Sequence, residues 1–180
     1  MGKVTKHILK YPEGEFPNYI IPDEYGPFRY ALGRIGKNPL VVICMNPSAA
    51  KEDISDATIN RIIRVSKKLN KDGWIVFNLY PERATKAYDL SQYDKTVANN
   101  NLSIIQEFLV DNKISEVWGA WGNSGNILTL IEAKKSLLTM LKNNRIRVFY
   151  FGTLTKEGNP RHPLQRNETV VFDESNKNYL

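Results

Sequence analysis

The chain has 180 residues, 42% of them hydrophobic and 24% charged, with a formal net charge of +6. That is the size of one domain, able to bury roughly 70% of its unfolded surface, and the composition excludes a disordered, collagen-like or coiled-coil chain. A lone cysteine, Cys44, excludes an internal disulfide, and no apolar run approaches the ~18 residues that a bilayer span requires.

In chain order, Met1-Gly2-Lys3-Val4-Thr5-Lys6 has no apolar signal core and carries Lys6 where a myristoylation signal wants Ser or Thr, so the cytoplasm is the expected address. Residues 1–38 are rich in Pro, Gly, Tyr and Phe and read as a lead-in or hairpin, with extended pieces at Thr5–Leu9 and Phe28–Arg34. An α/β core is expected over 39–166. It opens on Leu40–Met45, a continuous apolar run of the kind found in strands buried on both faces of a parallel sheet. After Ser55 or Asp56 as N-cap, Ile59, Ile62, Ile63 and Leu69 mark the apolar face of a helix. Trp74–Leu79 is a second strand. A long polar stretch from Tyr80 to Asn99 leads to a helix carrying Leu102, Ile105, Phe108 and Leu109. Ile114–Ala120, Ile127–Leu141 and Arg147–Phe151 supply a third strand, a helix and a fourth strand, and residues 167–180 form a tail. The alternation predicts a three-layer α/β/α domain around a four-stranded parallel sheet.

Each unusual polar cluster falls just past the carboxyl end of a predicted strand: Asn46-Pro47-Ser48, then Asn78 with Tyr80, Arg83 and Thr85, then Trp121-Gly122-Asn123, then Thr153 to His162. In open α/β sheets ligands bind at that edge, so the four clusters should share one crevice. Each also has a purely structural reading. Asn, Pro and Ser are turn formers, Trp121 is a good packing residue, and Arg83 and Thr85 can tie down their own loop. Asn78 is harder to assign to structure, because burying an amide without partners costs roughly 1 to 3 kcal/mol. His162 sits between Pro160 and Pro163, which stiffen its loop.

Charge is uneven. Positions 134–166 hold eight Lys or Arg against only Glu157, a local +7, whereas the rest is close to neutral. Such a segment beside loop motifs fits a polyanionic partner, DNA or a nucleotide, and Arg145, Arg147, Lys156, Arg161 and Arg166 are its candidate phosphate contacts; a solvated helix face is the alternative. No zinc-ligand spacing, phosphate loop, dinucleotide fingerprint or nucleophile elbow occurs, so neither a metal nor a cofactor is expected.

The motifs Met45-Asn46-Pro47-Ser48, Asp56-Ala57-Thr58 with Arg61, Asn78-Leu79 with Arg83-Ala84-Thr85, Ala120-Trp121-Gly122 and Gly158-Asn159-Pro160-Arg161-His162-Pro163-Leu164 resemble, in order and spacing, a bacterial and phage family of unknown function, from about Tyr30 to Leu164. Ala57 stands where that family usually has proline, and Gln165 where an aromatic is common. More distantly, Asn46-Pro47, Asn78, Trp121-Gly122-Asn123 and His162-Pro163 are similar to the ordered motifs of the uracil-DNA glycosylase superfamily. The departures are Leu164 in place of the usual serine and no obvious stacking aromatic after the first motif. This second resemblance implies a glycosylase-like fold, with Asn46 positioning the attacking water, Asn78 reading the base edge and His162 stabilising the departing base. Trp121 or Tyr80 would stack on the base. The expectation is an N-glycosidase-like hydrolase of nonstandard or damaged bases in DNA; a nucleotide- or nucleoside-processing enzyme and a non-catalytic nucleic-acid-binding accessory protein are the rivals.

Overall fold

The computed structural model describes residues 9–165 and 169–180. Its centre is β3 (Leu40–Cys44), β4 (Trp74–Asn78), β5 (Glu116–Gly119) and β6 (Arg147–Phe151), paired in parallel in the order β4-β3-β5-β6. Among the described residues the sheet has seven strands, not the four expected. β1 (Tyr19–Ile21) and β2 (Ala31–Arg34) extend it antiparallel beyond β4, and β7 (Lys177–Tyr179) pairs antiparallel with β6. Strand β2 falls within the extended piece expected at Phe28–Arg34, whereas β1 and β7, of three residues each, are too short for a period-2 pattern to show in the sequence.

Helix α1 (Ala57–Lys68) covers one face, α2 (Lys95–Asp111) and α3 (Leu128–Asn143) the other. The central strands alternate between the two cores: Val41, Ile43, Ile75 and Phe77 pack with Ile105, Phe108 and Leu137, whereas Val42, Cys44 and Val76 pack with Ile59, Ile62 and Ile63. Because both faces are covered, no position in these strands tolerates a polar residue cheaply, and the runs read as continuously apolar. Glu116 and Arg147 begin β5 and β6 at less buried positions, and the fully buried polar exception is Asn78 at the end of β4.

Two features of the topology place the site. Cys44 lies opposite Asn78 in the β3–β4 register, so the carboxyl ends of these strands are level. Strand β2 runs against β4 with Leu32 opposite Val76, so the residues just before β2 arrive beside the end of β4. Among the described residues, no helix is long and apolar enough to cross a membrane.

Candidate functional site

A cavity of about 200 Å³ opens at the carboxyl edge of β3 and β4 and is lined by Asn46, Ser48, Asn78, Thr85 and His162, together with Arg29, Cys44 and Asp56. Asn78 is 1% exposed, and among the described residues neither its Oδ1 nor its Nδ2 has a hydrogen-bond partner. Its backbone is satisfied differently. Asn101 of α2 donates from Nδ2 to the carbonyls of Asn78 and Leu79, at 3.0 and 3.2 Å. The strand end is therefore fixed from below, while the side-chain amide of this cavity-lining residue keeps one acceptor and two donors unused among the described residues.

Asn46 spends its amide donors on the loops, Nδ2 reaching the carbonyls of Pro47 at 3.2 Å and Ala84 at 2.8 Å. What it offers the cavity is its Oδ1. Ser48 donates from Oγ to Asp56 Oδ2 at 2.6 Å, and Asp56 Oδ1 accepts the amide of Ile59 at 2.8 Å as the N-cap of α1. Burial pushes the Cys44 thiol up to about 12, and the nearby Asp56 carboxylate adds to the effect, so Cys44 is no nucleophile near neutral pH.

His162 stands at the mouth of the cavity on the loop after β6. Its Nδ1 accepts the amide of Leu164 at 3.2 Å, which leaves the proton of the neutral ring on Nε2. Protein atoms crowd the ring although its edge reaches solvent. This desolvation holds its pKa below the ordinary imidazole value, opposed by the Asp56 carboxylate.

The loop is secured by the motif after β5. Gly122, at φ +68, donates its amide to the Pro160 carbonyl at 2.8 Å. Asn123 Oδ1 accepts from Thr155 Oγ1 at 2.6 Å and Asn159 Nδ2 at 3.2 Å, and Asn159 Oδ1 accepts from Lys134 Nζ at 2.9 Å and Trp121 Nε1 at 3.4 Å. Arg161 donates back to Thr153, from Nε to the carbonyl at 3.0 Å and from Nη2 to Oγ1 at 3.2 Å.

Several expected site residues lie elsewhere. Trp121 and Tyr80 are buried in the core against α2 and α3, where the Tyr80 hydroxyl accepts the amide of Asp94, and neither lines the cavity. Pro47 is buried in its turn. Arg83 is outside the cavity too, donating to the carbonyls of Gly26, Ser48 and Ala50 and lying over the Tyr25 ring, 4.3 Å from its centroid. Gly122 and Asn123 act one layer back, behind His162.

The basic segment is divided between the two ends of β6. Arg145 precedes the strand and Arg147 begins it, whereas Lys156 and Arg161 follow its carboxyl end; Arg166 lies outside the described residues. Arg147 is held by Glu116 at 3.2 Å and packs over the Tyr179 ring at 4.5 Å.

Arg29, Cys44 and Asp56 were not expected as cavity residues. Cys44 reads as core and Asp56 as a helix cap, which both also are. Arg29 belongs to the lead-in, and only the antiparallel pairing of β2 with β4 brings it to the site. Among the described residues, no group of three or more His, Cys, Asp or Glu is placed to hold a metal ion.

No curated protein and no solved structure matches the chain. Residues 29–164 match the family described as Protein of unknown function (DUF1643), a span that runs from the cavity's Arg29 to just beyond His162, and the chain belongs to that family.

Proposed function

We propose that the protein is a nucleobase-recognising hydrolase of N-glycosidic bonds, with a uracil-DNA glycosylase-like arrangement of its parallel strands, acting on nonstandard or damaged bases in DNA. The observation that carries this reading is Asn78: a buried amide with donor and acceptor both unused, in a cavity shared with Asn46 and His162. At about 200 Å³ the space is smaller than the roughly 300 to 1,000 Å³ of drug-sized ligand pockets and suits a single heterocycle.

The parts fit the chemistry. Breaking an N-glycosidic bond passes through an oxocarbenium-like sugar, so the site needs an oriented water and a donor to the leaving base more than a strong nucleophile. Asn46 Oδ1 accepts a hydrogen bond from the water and aims its oxygen at the anomeric carbon. The C–N bond breaks with its electron pair on the base, towards which His162 directs Nε2–H. The hydroxyl adds to the sugar, and the base leaves carrying a proton. A base in duplex DNA must first be flipped out of the stack.

The test is release of free base from DNA carrying uracil, hypoxanthine or other modified bases, and from nucleosides and nucleotides. His162→Ala should slow release by about 10² to 10³, the usual effect of losing one donor to developing charge. No release from any of these, or equal release by the variant, would leave a non-catalytic binding protein as the better account. One observation favours a second reading, a nucleoside- or nucleotide-processing enzyme: Arg145 and Arg147 lie at the strand end away from the cavity, so the full basic segment does not surround the site. Release from nucleosides alone would select it.

A further inference from the structure

Arg29 is the only arginine or lysine among the described residues that line the cavity, and it is 2% exposed. Its Nη1 donates to the Ala50 carbonyl, and among the described residues its Nε has no partner and no carboxylate lies within ion-pair distance. The cavity's own carboxylate, Asp56, is occupied by Ser48 Oγ and the Ile59 amide. Burial lowers the pKa of Arg29 to about 10, with Arg83 adding to the effect and the Asp56 carboxylate, beyond ion-pair distance, opposing it; the group is still a cation at neutral pH. A buried guanidinium that has exchanged water for one carbonyl is under-compensated, and hydrogen bonds from charged donors are the strong ones. The orphan that shares its cavity is the Asn78 amide.

We infer that Arg29 and Asn78 together make the inner end of the cavity a subsite for an imide or lactam ring that binds with negative charge on a ring oxygen. Arg29 supplies a charged donor to that oxygen. Asn78 Nδ2 donates to a second ring oxygen, or to the same one, and Oδ1 accepts from a ring N–H where one is present. An amino-heterocycle offers the wrong complement, since it places a donor where Arg29 has only donors. The inference rests on the nucleobase reading for the class of ring. Under that reading Arg29 has a catalytic role as well, because the base leaves with the electron pair of the C–N bond and its charge spreads onto the ring oxygens.

Calorimetric titration of the full chain with free rings tests it without turnover. The probes are barbituric acid itself, whose unsubstituted ring is ionised at neutral pH to the barbiturate anion, then uracil, then cytosine, and inorganic phosphate. The expected order is barbiturate, uracil, cytosine, with barbiturate at least tenfold above uracil. Arg29→Gln should lower barbiturate affinity by about ten- to a hundredfold and uracil affinity by less, which removes the preference for the charged ring. Arg29→Lys should keep part of it. A structural role for Arg29 would weaken all rings alike. Should Arg29→Gln fail to fold, the order of the rings on the unaltered protein still decides.

Equal affinity for barbiturate and uracil overturns the inference, as does phosphate binding as tight as the barbiturate's. Arg29-dependent preference for the barbiturate without base release from any substrate would sustain the subsite while ending the hydrolase reading. Base release unaffected by Arg29→Gln, with no preference among the rings, would do the reverse.

Discussion

An asparagine amide sealed from water with neither its donors nor its acceptor used costs a fold about 1 to 3 kcal/mol per group. Asn78 bears that cost inside the sheet, between β3 and the hairpin strands, where an apolar residue of similar volume would pack without it. Asn78→Leu should therefore raise stability to urea by about 1 to 3 kcal/mol while abolishing ligand binding; a fall in stability would mean that the amide has a structural partner after all. His162 carries a second residue-level prediction. Its folded pKa is depressed, so its contribution to stability is complete above the ordinary imidazole value of about 6.5 and declines as pH falls through the lower folded value. The neutral Nε2–H donor thus persists below pH 6.5, and activity should hold there. Asp56→Asn keeps a good helix cap but removes the charge that opposes the shift, so the His162 resonance in a proton NMR titration should move at still lower pH than in the unaltered chain.

At the scale of elements, what the sequence displays depends on how many neighbours an element has. Strands β3, β4 and β6 are legible as apolar runs because helices cover both faces, and α1 is legible because its polar face is solvated. Strands β1, β2 and β7 are short and lie towards the edges, so their pairing is dictated by neighbours that no local pattern reveals. For the same reason Asn46, Asn78 and His162 could be assigned to one crevice from their positions after strands, whereas Arg29 could not. The Trp121-Gly122-Asn123 motif shows the limit of reading residue types alone. An indole suited to stacking on a base is instead buried, and the motif works by holding the His162 loop. Asn159 is the hub of that arrangement, 5% exposed and bonded to Trp121, Asn123 and Lys134. Asn159→Ala should lower stability by about 1 to 3 kcal/mol in urea denaturation, and should also weaken ring binding although the residue does not line the cavity. Unchanged ring affinity would mean that the prolines and the loop's other bonds, from Gly122 to Pro160 and from Arg161 to Thr153, hold His162 without Asn159.

At the scale of the whole molecule, the sheet sorts charge by strand end. The five-residue strand β6 separates Arg145 and Arg147 from Lys156 and Arg161 by about 13 Å at 3.3 Å per residue. That exceeds the Debye length of about 8 Å at physiological salt, so the two groups act on a polyanion as separate patches. The patch at the amino end is also partly spent, because Arg147 pairs with Glu116, which Lys177 contacts as well. On the proposed reading, a DNA strand delivering a base to the cavity would be gripped from the carboxyl end. In a salt titration of DNA binding, Lys156→Glu should make the log-log slope shallower by about 0.9, the share of one duplex phosphate. The double change of Arg145 and Arg147 to glutamate should leave that slope within error of the unaltered protein. The opposite pattern would put the nucleic acid on the far edge of the sheet, away from Asn78 and His162, and would separate DNA binding from the cavity altogether.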